Sequence, residues 1–184
     1  MKWVVLGVLV LIVLYAVAIY NRLVSLRQTT NQAWSDIDVQ LKQRYDLVPN
    51  LIETVKGYAA HERETLDAVV RARQTAMAAS GTTGQAQAET ALTGALRQIF
   101  ALAEAYPDLK ANTNFLQLQT ELGDLENKIA AARRFFNNAV AEYNAATEQV
   151  PAALFANSLG FQKREFFETT EPRATIEAAP QVKF

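Results

Sequence analysis

The side chains best suited to chemistry lie between Asp46 and Glu64. His61 is the only histidine of the chain, next to Glu62 and three residues before Glu64. An imidazole one helical turn from a carboxylate is how a metal ligand pair, or a general base with its orienting acid, would be built. A metal site needs further ligands, and the sequence has no His-x-x-x-His or Glu-x-x-His pair, so the spacing favours an ordinary surface or bundle-edge histidine. Asp46, Asn50, Glu53, Gly57, His61 and Glu64 recur at steps of three and four. On one helix they form a polar stripe, suited to a partner-binding or ligand groove, or to a solvated face that fixes helix register. Asp36 and Asp38, with Arg44 following, resemble paired carboxylates. Two residues apart on a helix they face different sides, which fits capping and salt bridging rather than acid–base work. Trp34 and Tyr45 fit packing, and the isolated Arg133-Arg134 pair fits neutralising carboxylates.

Other chemistries lack their parts. Gly81-Thr-Thr-Gly84 has neither the Gly-Lys-Ser/Thr ending nor a preceding strand, so it is no phosphate loop. The absence of cysteine removes thiolate ligands, disulfides and a cysteine nucleophile. A formal charge of −1 speaks against a nucleic-acid partner, which would need a basic surface. The sequence therefore points to a non-enzymatic protein with no catalytic residue, no metal and no cofactor.

The elements that would carry these residues begin with an apolar run. Trp3–Tyr20 is 18 residues without a charge, about 27 Å as a helix and close to the hydrocarbon thickness of a bilayer. Trp3 and Tyr20 bracket it as interfacial aromatics. Ala16-Val17-Ala18 has the small-x-small form of a signal-peptidase site, yet no Gly or Pro breaks the helix ahead of it. A retained anchor is the expectation. Lys2 alone precedes it, whereas Arg22, Arg27, Lys42 and Arg44 follow, a slight bias toward a cytoplasmic soluble domain.

Past the anchor, Leu23, Leu26, Ala33, Ile37, Leu41, Val48, Ile52, Val55, Ala59 and Leu66 form one apolar stripe. Pro49 is the expected interruption, with Asp46 as the cap of a new helix and Pro49 in its first turn; a single kinked rod is the alternative. SGTTG (Ser80–Gly84) is a turn, and Gln85–Tyr106 is helical up to Pro107. Asn112 or Thr113 caps the next helix, whose core face is Phe115, Leu118, Leu122, Leu125, Ile129, Ala132, Phe136, Ala139 and Tyr143. That sustained heptad predicts coiled-coil-like packing against antiparallel neighbours. A short helix closed by Gly160 follows, then an extended tail.

The order YN-x-LV-x-LR from Tyr20, the block Ala33–Glu62, YPDLKAN (Tyr106–Asn112), ENKIAAARRFFN (Glu126–Asn137), Tyr143-Asn144, LGF (Leu159–Phe161), Phe166-Phe167 and the terminal P-x-V-x-F (Pro180–Phe184) resemble the LemA family of bacterial membrane proteins. The resemblance covers nearly the whole chain. It implies an all-α architecture, an antiparallel four-helix bundle behind a transmembrane helix, and it implies no enzymatic activity. The expected organisation is an anchor over 1–20, a bundle over 21–164 and a tail over 165–184. The expected setting is the bacterial inner or plasma membrane, crossed once, with the lipid bilayer as one partner and a second copy or another envelope protein as the other. Self-association is expected at Gly7, where another helix could approach, and at Phe161, Phe166, Phe167 and Phe184. The expected role is a self-associating scaffold. One alternative is an adaptor or sensor that recruits a membrane protease or signalling partner through Asp46, Asn50 and His61. Another is a ligand carrier with a pocket in the bundle.

Overall fold

A computed structural model of the chain describes residues 1–168. Among the described residues the regular elements are all helical: α1 (Lys2–Lys56), α2 (Arg63–Ala78), α3 (Thr82–Ala103), the single turn α4 (Pro107–Lys110), and α5 (Thr113–Glu148), followed by two 3-10 turns at Ala152–Leu154 and Asn157–Leu159.

The expected break at Asp46 and Pro49 is absent. The helix α1 is continuous through both residues, with Pro49 in its interior, and it stops at Lys56 where Gly57 begins a turn. An interior proline leaves the carbonyl four residues earlier without its helical donor, at a cost of about 3 kcal/mol relative to alanine. Here that carbonyl, Tyr45 O, accepts a 2.8 Å bond from Arg73 Nε of α2. Val48, Leu51 and Ile52 around the proline are buried, so packing holds the helix through the site. Asp46 is exposed within α1 and caps nothing.

The other boundaries follow local chemistry. Gly81, at φ +76°, supplies the left-handed turn before α3. Pro107 occupies the first turn of α4, where its missing N–H costs nothing. Asn112 Oδ1 accepts from Phe115 N at 3.0 Å and so caps α5 as expected. Gly160, also left-handed, closes the second 3-10 turn.

The chain divides into two compact units. The first contains Met1–Leu41 and Glu126–Phe166. Its core joins Leu23, Tyr143, Ala146, Ala152, Ala156 and Phe161, with Ile19, Val24, Leu26 and Phe155 packed around them. Trp34 meets Phe136 edge-on at 5.3 Å. The second unit contains Lys42–Leu125 and, of the described tail, residues 167–168. Val48, Leu51 and Val55 of α1, Leu66 and Val69 of α2, Leu92 and Ile99 of α3 and Phe115 of α5 are buried in it.

The first part of α1 behaves differently from the rest. Every residue from 1 to 18 is exposed, Trp3 by 84%. This helix is long and apolar enough to cross a membrane, and its apolar stretch is exposed up to Ala18, with Ile19 and Tyr20 the first residues packed on the rest of the chain. Among the described residues it is the one helix with the length and apolar composition of a membrane span.

Candidate functional site

The residues of the expected polar stripe are all exposed: Asp46, Asn50, Glu53, His61 and Glu64. They do not form one stripe. Asp46, Asn50 and Glu53 share a face of α1, whereas His61 lies in the turn after that helix and Glu64 in the first turn of α2. Helical spacing fails here because the helix itself ends at Lys56. Glu53 pairs with Lys56 at 2.7 Å. The turn is tied to a later segment of its unit: Tyr106 Oη donates to Glu62 Oε1 at 3.0 Å, and Asn112 Nδ2 donates to Tyr58 Oη at 2.9 Å. Its bond to the Glu62 carboxylate raises the Tyr106 hydroxyl above its usual range. Among the described residues no three His, Cys, Asp or Glu side chains are placed to hold a metal ion.

The polar cluster that the fold does assemble lies inside the second unit. Arg44 and Glu89 are both fully buried and joined at 2.7 Å, Nη2 to Oε2. Arg44 Nη2 also donates to the Glu89 backbone oxygen at 3.3 Å and to Thr93 Oγ1 at 3.2 Å. Tyr45 Oη donates to Glu89 Oε1. Gln85 Nε2 donates to the same carboxylate oxygen at 2.9 Å, to Tyr45 Oη at 2.9 Å and to Ala76 O at 3.1 Å. Burial, the bond to Glu89 and the charge of that carboxylate push the Tyr45 hydroxyl far above its usual range, against the opposing pull of Arg44. Tyr45 therefore stays a neutral donor at any physiological pH.

The geometry makes this cluster a lock. A buried charge must be both paired and hydrogen-bonded, and Glu89 has Arg44 on one oxygen, with Tyr45 and Gln85 on the other. Together with the Arg73 bond to Tyr45 O, it joins α1, α2 and α3 in a single register. A cavity of about 340 Å³ beside Lys56, Arg63 and Leu66, and one of about 250 Å³ beside Thr147, Asn157 and Phe161, are lined by none of the residues of the cluster.

Sequence reasoning missed Arg44, Gln85 and Glu89 as a group. The signal was present: Leu41, Arg44 and Val48 continue the apolar stripe at steps of three and four, as do Gln85, Glu89, Leu92 and Leu96 on α3. Charged residues at core spacing on two helices invite pairing.

The aromatic residues assigned to self-association have separate fates. Phe161 is buried in its own chain, edge-on to Tyr20 at 5.5 Å with the Arg27 guanidinium 4.9 Å from its ring centre. Phe167 is buried as well, while Phe166 is partly open. Both buried rings are thus already occupied within the chain, because the segment after α5 folds back. Asn144 holds that segment, donating to Arg164 O and accepting from Arg164 N, each at 2.9 Å. Gly7 is open on every side. Phe184 lies outside the described residues.

The model of the LemA family matches residues 33–184. Magnetosome protein MamQ of Magnetospirillum gryphiswaldense (strain DSM 6361 / JCM 21280 / NBRC 15271 / MSR-1) is 26% identical over 189 aligned positions, which cover 89% of this chain and 70% of that protein. Magnetosome proteins MamQ 1 and MamQ 2 of Paramagnetospirillum magneticum (strain ATCC 700264 / AMB-1) are each 24% identical over the same shares.

Proposed function

Since the chain belongs to the LemA family, we propose that it is a non-enzymatic, membrane-anchored helical scaffold that associates with further copies of itself in the plane of a bacterial inner or plasma membrane. The observation that carries this reading is the contrast along α1. Residues 3–18 are bare and apolar, yet the same helix continues into packed units. An anchor of this kind confines copies to a plane and raises their effective concentration. Apolar side chains remain for a neighbour to cover: Gly7 leaves open space in the anchor, Phe135 of α5 is 53% exposed, and Phe166 is partly open. None of the three relatives is named for a reaction, which supports a structural rather than a catalytic role. The excess of Lys and Arg that follows the anchor supports a soluble part on the cytoplasmic side. The test is the mass of full-length protein in mild detergent or nanodiscs across micromolar concentrations. Assembly beyond the monomer is expected; a monomer throughout would overturn the reading.

A second reading is supported by the exposed face Asp46, Asn50 and Glu53 on α1. As an adaptor, the protein would present this face to another envelope protein, such as a membrane protease. Affinity capture from detergent extract with wild type and with Asp46→Lys/Asn50→Ala distinguishes it: a partner lost only in the variant supports the adaptor.

A further inference from the structure

The segment after α5 has two unlike sides. Ala152, Ala156 and Phe161 sit in the Leu23–Tyr143 core cluster, with Phe155 packed against it. Val150 and Leu154, by contrast, are 79% and 80% exposed, and Leu159 is 49% exposed. This is not a loose tail. Leu154 N bonds to Pro151 O at 3.1 Å, Ala156 N to Ala152 O at 2.8 Å and Phe161 N to Ala156 O at 2.9 Å. The Asn144 clamp on Arg164 fixes its exit. A well-ordered segment therefore keeps three apolar side chains in water.

Its position explains why. Within this unit α1 and α5 run antiparallel, since Trp34 meets Phe136 while Leu23 clusters with Tyr143 and Ala146. Both helices rise by about 1.5 Å per residue, so each step toward the anchor on α1 is matched by a step toward Glu148 on α5. On that register the end of α5 reaches the level where the apolar run of α1 ends. The side chains agree: Ile19 packs on the same cluster, and Tyr20 lies against Phe161. Arg22, Arg27 and Lys163, the last paired with Glu148, belong to this end of the unit, whereas the Arg164 guanidinium reaches away from it to donate to Thr30 Oγ1 at 2.6 Å.

The geometry points to a second membrane contact: Val150, Leu154 and Leu159 enter the headgroup–acyl boundary of the bilayer that α1 crosses. The occupant is lipid because the exposed patch lies at the level where the anchor ends, with Ile19 and Tyr20 of α1 packed against the same segment and Arg22, Arg27 and Lys163 at its edge. Apolar side chains beside basic ones are the composition that binds at a bilayer interface. A single helix can tilt and turn in a membrane, and interfacial contacts off its axis set both its depth and its rotation. The segment would thus hold the soluble part in one orientation on the membrane surface. The inference goes beyond the scaffold reading and needs only the anchor.

The chain has no cysteine, which makes a direct test possible. Val150→Cys, Leu154→Cys and Leu159→Cys, each in full-length protein, are labelled with an environment-sensitive fluorophore and reconstituted into phosphatidylcholine/phosphatidylglycerol vesicles. Part of the lipid carries bromine near the top of the acyl chain. Val39→Cys is the matched control, apolar and 53% exposed but about 28 Å beyond Tyr20 along α1. The expected result is a blue shift and roughly two-fold or greater quenching at Leu154 and Val150, and neither at Val39. Unshifted emission from protein that floats with the vesicles overturns the membrane contact and leaves the anchor standing. A blue shift without quenching by brominated lipid also overturns it, because a second copy or another protein then covers the patch. Protein that fails to float overturns the contact and the anchored reading together.

Discussion

The two units solve the same packing problem with opposite chemistry. In the unit of Met1–Leu41 and Glu126–Phe166, α1 and α5 meet through aromatic edges and small side chains: Trp34 on Phe136, and Phe161 between Tyr20 and Arg27 over a floor of Ala146, Ala152 and Ala156. In the unit of Lys42–Leu125, the helices are registered by a buried ion pair whose carboxylate also accepts from Tyr45 and Gln85. Apolar contacts tolerate sliding by a turn, because one alanine resembles another. A buried carboxylate tolerates none, since any shift strands it. The difference teaches where register is specified in this chain, and it can be broken from either side.

The largest expected effect is Arg44→Ala, which strands the Glu89 carboxylate in the core and should cost about 3–5 kcal/mol in equilibrium unfolding. The double variant Arg44→Met/Glu89→Leu sharpens the comparison. If the pair supplies register rather than net stability, the double variant should recover most of that loss. On the apolar side, Phe161→Ala should cost about 3 kcal/mol through lost burial and a residual cavity. It should also free the segment after α5, which limited proteolysis near Lys163 would report.

Smaller effects probe the proline. Arg73→Met leaves Tyr45 O without a donor and should cost about 2 kcal/mol. In a Pro49→Ala background, residue 49 supplies its own N–H to that carbonyl, so the same Arg73 substitution should cost about 1 kcal/mol less. Equal costs in both backgrounds would show that Arg73 does not compensate for the proline.

The next test is alkaline pH. The Tyr45 hydroxyl is raised in the folded state by burial and by Glu89. Above about pH 10 the unfolded chain therefore loses this proton while the folded chain keeps it, and stability falls by at most about 1.4 kcal/mol per pH unit. Tyr45→Phe should flatten that part of the pH profile relative to wild type; parallel profiles would contradict the assignment. The smallest effect is expected at His61, exposed in a turn, where His61→Gln should change stability by no more than about 0.5 kcal/mol.

Much of the fold was legible in the spacing of apolar residues. The face read along α5 is buried at Phe115, Leu122, Leu125, Ile129, Phe136, Ala139 and Tyr143, and the cap at Asn112 and the turn at Gly160 follow from side-chain and φ requirements. Local signals failed where a distant residue decides the outcome. Pro49 is a helix breaker by propensity, and its interior position is supported by burial of Val48, Leu51 and Ile52 and by Arg73, 24 residues later in the sequence. The polar residues between Asp46 and Glu64 read as one stripe because nothing before Gly57 announces the end of α1. Phe161 read as an unplaced aromatic because its partners Tyr20 and Arg27 are far away in sequence.

The central claim, a membrane-anchored protein that associates with its own copies, is tested most directly by cysteine cross-linking in intact membranes. Single cysteines replace Gly7, Phe135 and Asp46 in the full-length, otherwise cysteine-free chain, and mild oxidation is followed by non-reducing electrophoresis. The account predicts covalent dimers through Gly7→Cys or Phe135→Cys and none through Asp46→Cys. Monomer at all three positions, with each cysteine still reactive to a thiol reagent, would contradict it.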